Sequence, residues 1–410
     1  MQANWRIGSL FGIPLFLDPS WFFIFALVTI IEALTFSRSF GLALAWSAGL
    51  AMALLLFASV LLHELGHSLV ARSQGIKVNS ITLFIFGGVA SIERESKTPG
   101  QALQVAIAGP AVSIALFGLL YSLAQVLPIA SVAQTVTLDL ADINLLVGIF
   151  NLIPGLPLDG GQVLKAVVWK LTGSRLKGVR WAAQTGKVLG GLAIAIGLYF
   201  VLKEGQLFAI WIALIGGFVF RNATAYQRLT TLQEALLQVT ASESMTPDFR
   251  VVDADQTLRS FADEYIVADA QTPMPYYAAA NGRYRGLIAI GDLQLIERSQ
   301  WETQSLESIV HPLSQIATVE EKTPLVEVIN CLEAEQRNHL TVLSPAGAVS
   351  GVIDRGDIVR AVTKKLNLPI TETDLKRSKA ENSYPPGLQL HEIALSISVA
   401  EGPHRKNENL

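Results

Sequence analysis

Five consecutive residues, His63-Glu64-Leu65-Gly66-His67, combine two metal-binding side chains with a carboxylate. Residues four apart on a helix share one face, so the imidazoles of His63 and His67 can bind one cation. Glu64 is placed to take a proton from a metal-bound water. These residue types at this spacing therefore predict a hydrolytic metal site. The alternative is a histidine pair that only hydrogen-bonds to neighbouring helices.

The position of this run in the chain favours the metal site. The segment from Leu42 to Val70 is almost wholly apolar, and it is longer than the about 20 residues that a helix needs to cross a bilayer. Ionisable side chains at such depth are costly, so their presence indicates a function. The sequence thus predicts a metal site inside a membrane.

A second stretch, from Asn151 to Gly161, has two prolines and three glycines within an apolar span. Such residues break a helix, and the freed backbone groups must face protein or water rather than lipid. Asp159 adds an intramembrane carboxylate here, and a catalytic zinc ion typically has three protein ligands and one open position. We therefore predict that His63, His67 and Asp159 bind one Zn²⁺ ion. The alternative role for Asp159 is a helix cap.

The composition predicts a polytopic α-helical membrane domain followed by a soluble α/β part. Mean hydropathy is +0.42, and charged residues, 16% of the chain, are sparse up to about residue 226. The net charge of -3 argues against a nucleic-acid partner, and the single cysteine, Cys331, excludes disulfides and a multi-thiolate zinc site. About six transmembrane helices are predicted, near residues 20–36, 42–72, 101–127, 143 onward, 186–201 and 206–220.

A short β-hairpin is predicted between the second and third spans. Residues 78–86 and 89–95 are rich in β-branched and aromatic side chains and flank Gly87-Gly88, a pattern typical of a two-residue turn. One interpretation is a plain connecting hairpin. The other is that an exposed edge strand pairs with the backbone of an extended substrate, with Gly87 and Gly88 at the binding site.

Basic residues predict the orientation in the membrane. With the N-terminus in the cytosol, the opposite loops hold little beyond Arg38 and Lys203. This bias places both termini in the cytosol. The first 18 residues have no clear cleavage site and no transit-peptide character, so we expect a bacterial plasma (inner) membrane. The cytosolic loops then contain Arg72, Lys77, Arg94, Lys97, Lys170, Arg175, Lys177, Arg180 and Lys187.

The C-terminal half contains an internal repeat. Met245-Thr246-Pro247 matches Val310-His311-Pro312, and the segment ending at Asp292 matches the one ending at Asp357, both at an offset of 65 residues. A constant offset indicates the duplication of a small α/β unit. We therefore predict a membrane domain (1–226), a linker (227–240), two repeats (241–300 and 306–366) and a mobile tail (367–410).

The two motifs together resemble the site-2 protease family of intramembrane zinc metalloproteases. The resemblance rests on HELGH in one span and N-x-x-P-x-x-P-x-D-G-G in a later one, with additional similarity around Gly12-Ile13-Pro14 and at the glycine pair of the hairpin. It implies zinc as cofactor and a transmembrane protein segment as substrate. It further implies zinc ligation by His63, His67 and Asp159, catalysis by Glu64, and a substrate cleft shaped by Asn151 and Pro154.

The repeated half resembles a tandem pair of cystathionine-β-synthase-type (CBS) domains. Such pairs often associate, so the resemblance allows a homo-oligomer. Nucleotide-binding copies usually carry Ser or Thr three residues before the closing aspartate, whereas this chain has Ala289 and Asp354 there. The departure argues against an adenine-nucleotide ligand, although Asp292 and Asp357 remain.

The leading functional prediction is regulated intramembrane proteolysis. The enzyme would cleave transmembrane segments of membrane-bound regulatory proteins, with the CBS pair as a cytosolic regulatory module. One alternative is an inactive relative or binding module that keeps the metal for structure. Another is a channel or transporter that carries CBS domains, which leaves the HELGH motif without a purpose.

Overall fold

The computed structural model describes residues 5–266, 274–385 and 387–401, and the chain divides into two compact units between Thr230 and Thr231. Within the described residues, six helices are long and apolar enough to cross a membrane, the sixth spanning Leu207–Gln238. The helices of the first unit are α1 (Pro19–Phe36), α2 (Leu42–Ser73), α3 (Pro99–Ala124), α4 (Val132–Asn151), α5 (Asp159–Thr172), α6 (Arg175–Glu204) and α7 (Ile210–Gln238).

Local chemistry sets where several of these helices start. The Asp18 carboxylate accepts a hydrogen bond from the backbone N–H of Ser20 at 2.9 Å, and Pro19 occupies the first turn of α1. Thr98 caps α3 in the same way, because its hydroxyl accepts from the N–H of Gln101. These contacts satisfy N–H groups that the helix leaves unpaired.

The fourth span begins earlier than the apolar pattern predicts. Helix α4 starts at Val132 rather than near residue 143, because Ser131 caps it and its polar residues before 143 weaken the hydropathy signal without breaking the helix. It ends at Asn151, and the chain is irregular until α5 starts at Asp159. The predicted break at the Pro-Gly stretch is therefore present.

A four-stranded sheet of order β1-β2-β3-β4 completes the first unit. Strand β2 pairs with β1 antiparallel and with β3 parallel, and β3 pairs with β4 antiparallel. One face of the sheet is buried, with Ile13 and Ile81 in the same apolar cluster as Leu65 of α2. The strands are β1 (Trp5–Leu10), β2 (Ile13–Leu17), β3 (Val78–Phe84) and β4 (Gly87–Ile92).

The glycine pair does not form the hairpin turn. Phe84 pairs with Gly87 and Leu83 with Gly88, so both glycines lie in β4 and the two-residue turn is Ile85-Phe86. The Phe86 ring stacks on Phe218 with centroids 4.7 Å apart, which holds this turn in place. Strand β3 is internal, so β4 is the strand of this hairpin that has a free edge.

The second unit contains the predicted repeat. In each copy the first strand pairs parallel with the second, and the second antiparallel with the third. The first copy comprises β5 (Arg250–Asp253), α9 (Leu258–Phe261), β6 (Tyr276–Ala280), β7 (Arg283–Ile288) and α10 (Ile290–Leu293), preceded by α8 (Ala241–Ser244). The second comprises β9 (Thr318–Glu320), α11 (Leu325–Ala334), β10 (His339–Leu343), β11 (Val349–Asp354) and α12 (Arg355–Lys365).

The two copies exchange their leading segments. Strand β8 (Val310–Pro312), which precedes the second copy, pairs with β7 of the first. Thr246, which precedes the first copy, forms a bridge with Val352 in β11 of the second. The matched triplets found in the sequence are therefore the crossing points between the copies.

The predicted mobile tail is corrected by the structure over its described part. It contains α13 (Glu372–Ala380) and α14 (Leu390–Glu401), and the apolar face of α14 is buried in the same cluster as α11. Pro385 and the glycine at 387 suggested disorder, but they separate two helices whose apolar residues complete a core. Residues 386 and 402–410 lie outside the described residues. The buried side chains of α14 include Leu390, Ile393, Ala394 and Ile397.

Candidate metal centre

The three predicted zinc ligands converge. The Nε2 atoms of His63 and His67 lie 3.1 Å and 3.3 Å from the two carboxylate oxygens of Asp159 and 3.3 Å from each other. The ligand atoms of all three lie within 4.8 Å of one another, and both imidazoles are buried. Two neutral nitrogens and a carboxylate form a donor set that suits Zn²⁺. The fit supports zinc at this point.

Helix α3 orients both imidazoles through contacts with their Nδ1 atoms. The Nδ1 of His63 is 2.9 Å from the Ser113 hydroxyl, and the Nδ1 of His67 is 2.6 Å from the carbonyl oxygen of Val105. When Nε2 is the metal ligand, Nδ1 carries the proton and donates it in these bonds. Such outer contacts fix the tautomer and the ring angle of a ligating histidine.

Gly109 of α3 provides the space for this arrangement. A Cβ at this position would overlap Nε2 of His67 and would lie 2.6 Å from Nε2 of His63. Helix α3 therefore passes directly beside the two coordinating nitrogens. A side chain at position 109 would block access to them. The sequence analysis assigned neither Gly109 nor Ser113 to the site, although Ser113 follows Gly109 by four residues on one helical face.

The Asp159 carboxylate is directed at the imidazoles and does not cap α5. Leu158 is the capping residue, and Asp159 is the first residue of the helix. A Cβ on Gly160 would overlap the backbone of the 152–153 segment, and one on Gly161 would overlap residues 155–156. The glycines thus let α5 pack against the irregular segment, which turns the carboxylate toward α2.

Glu64 lies between the imidazoles and strand β4. A Cβ on Gly88 would lie 2.5 Å from Cγ of Glu64, and the Glu64 carboxylate interacts with the backbone N–H of Ala90. Strand β4, an edge strand of the sheet, therefore borders this carboxylate. Of the glycine pair, Gly88 reaches the site directly and Gly87 is its neighbour in the strand.

The two residues assigned to a substrate cleft are less closely placed. Asn151 ends α4 and is half-buried, and Pro154 is exposed in the irregular segment. The described hydrogen bonds join neither of them to the zinc ligands. The buried asparagine of α4 is Asn144, whose amide donates to the Ser59 hydroxyl at 3.1 Å and so ties α4 to α2.

Known proteins are similar to this chain over most of its length. The model of peptidase family M50 matches residues 51–142 and 129–198. A candidate zinc metalloprotease of Synechocystis is 41% identical over 364 residues, covering 88% of this chain and 96% of its own. A zinc metalloprotease of Methanocaldococcus jannaschii is 30% identical over 363 residues, covering 88% of this chain and 97% of its own.

Two solved structures are also similar to parts of the chain. A site-2 protease from Methanocaldococcus jannaschii is 33% identical, covers 55% of this chain and 96% of its own, and has a TM-score of 0.41. The CBS domain of a bacterial CNNM/CorC-family Mg²⁺ transporter is 17% identical, covers 36% of this chain and 86% of its own, and has a TM-score of 0.28.

The relatives confirm the enzyme class and the metal predicted from HELGH, and the six apolar helices confirm an integral membrane protein. The similarity to zinc metalloproteases also disfavours the alternative that this protein is a channel or transporter. The family match runs from within α2 to within α6, and the two relatives are similar to this chain over most of their length. The chain therefore belongs to peptidase family M50, the site-2 protease family of zinc metallopeptidases.

Proposed function

We propose that this protein hydrolyses peptide bonds within transmembrane segments of membrane-bound regulatory proteins. His63, His67 and Asp159 are the zinc ligands, and Glu64 is the catalytic base. The observation that carries the proposal is the convergence of the two α2 imidazoles and the α5 carboxylate beside Glu64. A metal site on apolar, membrane-length helices has its use in chemistry on a membrane-embedded substrate.

The chain's own residues supply proton transfer and substrate placement. When bound, zinc polarises the scissile carbonyl and lowers the pKa of a water to about 7. Glu64 takes a proton from the attacking water as the water oxygen bonds to the carbonyl carbon. Glu64 then gives that proton to the leaving nitrogen as the C–N bond breaks.

The substrate must be extended, because a peptide bond inside a helix is shielded by its own turns. Strand β4, with Gly87 and Gly88, is an edge strand of the described sheet and lies next to Glu64, so it can pair with such a segment. Asn151, at the end of α4, and Pro154, in the irregular segment after it, are assigned to the substrate cleft on the strength of the motif they share with Asp159. Peptides N-methylated at alternate amides test this role: methylation in one register abolishes cleavage, and methylation in the other does not. Equal effects in both registers contradict pairing at β4.

Purified protein in lipid nanodiscs tests the catalytic assignment. Wild type binds one zinc and cleaves a single-span peptide until a chelator removes the metal. Glu64→Gln keeps zinc and loses at least about 10²-fold in turnover, whereas His67→Ala and Asp159→Ala lose zinc and cleavage. Cleavage retained by Glu64→Gln refutes the mechanism. Zinc binding without cleavage by wild type identifies an inactive relative.

The C-terminal unit is proposed as a cytosolic regulatory module, with the protein in a bacterial plasma membrane and both termini in the cytosol. The excess of basic residues in the loops assigned to the cytosol supports this orientation. Single cysteines introduced at residues 97 and 203 of a Cys331→Ser protein test it. A membrane-impermeant thiol reagent added to intact cells labels position 203 only. Labelling at 97 alone reverses the orientation.

The second CBS-like copy has features that argue against a nucleotide ligand. Asp354 caps α12, and the Asp357 carboxylate contacts the ammonium of Lys379 at 2.9 Å and the guanidinium of Arg360 at 2.5 Å. These groups leave Asp357 1% exposed. Asp292 of the first copy is more accessible and contacts Nε2 of His311 at 2.8 Å.

A further inference from the structure

Three charged side chains connect the end of β4 to α5 and α6. Glu95 follows β4, and its Oε2 lies 2.8 Å from Nη1 of Arg175 and 3.4 Å from Nζ of Lys165. Lys165 is on α5, the helix that begins at Asp159, and Arg175 is the first residue of α6. This ion cluster therefore links the strand beside Glu64 to the helix that carries the third zinc ligand.

Lys165 is the least accessible member. Its side chain is 8% exposed, against 52% for Glu95 and 22% for Arg175. The stem of Lys165 lies along α6, where a Cβ on Gly178 would be 3.3 Å from its Cγ. A buried ammonium is costly without an anion, so the position of Lys165 constrains the position of Glu95.

Glu95 remains an anion in this setting. Partial burial acts to raise the pKa of its carboxyl, but the neighbouring ammonium of Lys165 and guanidinium of Arg175 outweigh that effect and hold the pKa below its usual range. The carboxylate is thus charged at neutral pH and can hold both cations.

The contacts of β4 with α2, of α2 with α5, and of α5 with the end of β4 form a closed ring around the site. Strand β4 lies against α2 at Gly88 and Glu64, and its far end is held to α5 through Glu95. Helix α5 returns to α2 where the carboxylate of Asp159 meets the imidazole of His63. The described ion pairs of the cluster join Glu95, Lys165 and Arg175 to one another and not to the zinc ligands. The cluster can therefore change the position of β4 without a direct contact to the metal.

We propose that the Glu95–Lys165–Arg175 cluster positions the β4 edge relative to the helix of Asp159, so that an extended substrate lies within reach of the zinc site. The inference rests on the proposed protease function and adds two positioning residues, Glu95 and Lys165, to it. Loss of the cluster weakens substrate binding and leaves the zinc ligands intact.

A double substitution separates positioning from folding. Glu95→Gln raises KM about tenfold with kcat and zinc content unchanged, and it lowers Tm because the Lys165 charge stays buried. Glu95→Gln/Lys165→Met removes that buried charge, so Tm recovers while KM stays raised. Measurements use full-length protein in nanodiscs with a single-span peptide. Recovery of both KM and Tm in the double variant overturns the proposal, since the cluster is then only structural.

Two further measurements complete the test. Glu93→Gln is the matched control, because the described ion pairs of the Glu93 side chain are long contacts of 3.9 Å with Lys77 and Arg94, and it leaves KM unchanged. Hydrogen exchange of the β4 amides gives a readout without cleavage and is faster in the double variant than in wild type. If wild type does not cleave, the proposed function fails, and unchanged β4 exchange then separately overturns the positioning role.

Discussion

Gly88 of β4 lies so close to Glu64 of α2 that a Cβ at position 88 would stand 2.5 Å from Cγ of the glutamate. The absence of a side chain at position 88 is therefore what permits the observed placement of this carboxylate. Gly88 serves the site as a position of close approach and not as a turn residue.

Gly88→Ala is expected to displace the Glu64 side chain and to lower kcat by about 10²-fold. Zinc content remains stoichiometric, because the three ligands are untouched. Val89→Ala is the control, since Val89 is an exposed residue of the same strand, and its activity stays near that of wild type. Wild-type turnover in Gly88→Ala would show that Glu64 has room to move without loss.

Gly109→Ala is expected to abolish zinc binding, because the added methyl group would occupy space beside both Nε2 atoms. Zinc per protein, measured by mass spectrometry of the metal, falls toward zero. Gly118→Ala on the same helix is the matched control, because a Cβ there meets no atom within 4 Å. Full zinc content in Gly109→Ala contradicts the assigned position of the metal.

Ser113→Ala is expected to weaken zinc binding by about 10- to 100-fold. The reason is the loss of the hydroxyl that orients the His63 ring through Nδ1. Competition with a chromophoric chelator measures the affinity. Ser122→Ala is compared with it, because Ser122 is exposed on the same helix and its hydroxyl donates to the carbonyl of Gly118. Equal affinities in both variants would leave Ser113 without an orienting role.

Lys379→Met is expected to lower the free energy of unfolding of the C-terminal unit by about 1–2 kcal/mol. The carboxylate of Asp357 is buried and would lose one of its two cations. The expected loss is small because the Lys379 side chain is 38% exposed, so water screens its charge. Denaturant unfolding of the full chain measures the change, and Lys376→Met, an exposed position of α13, leaves it unchanged. No difference between the two would indicate that α13 does not stabilise this unit.

The C-terminal unit is also expected to lose stability below about pH 6.5. Burial lowers the pKa of His339, with Asp354 opposing and Arg337 adding to the effect. The unfolded chain then binds a proton more readily than the folded one, so stability is full above the unfolded pKa and falls as pH decreases through it. His339→Gln flattens the dependence of Tm on pH between 7.5 and 5.5. If the slope of Tm against pH is the same in His339→Gln as in wild type, groups other than His339 cause the pH dependence.

The clustering of His63, His67 and Asp159 could be predicted from sequence, because the signals for it are local. Helical period places His63 and His67 on one face, and the cost of burying charge in lipid marks Asp159 as functional. The repeat at an offset of 65 residues likewise predicted the duplicated fold of the second unit. Each of these signals lies within a short segment or in a comparison of two segments.

Only the tertiary structure decided which elements surround those residues. It placed Ser113 at Nδ1 of His63 and Gly109 beside both Nε2 atoms, moved the hairpin turn to Ile85-Phe86, and packed α14 onto the core of the second unit. It also joined Glu95 to Lys165 across 70 positions of sequence. Periodicity specifies which face of a helix or strand is apolar, but the neighbour that covers that face depends on how all the elements pack together.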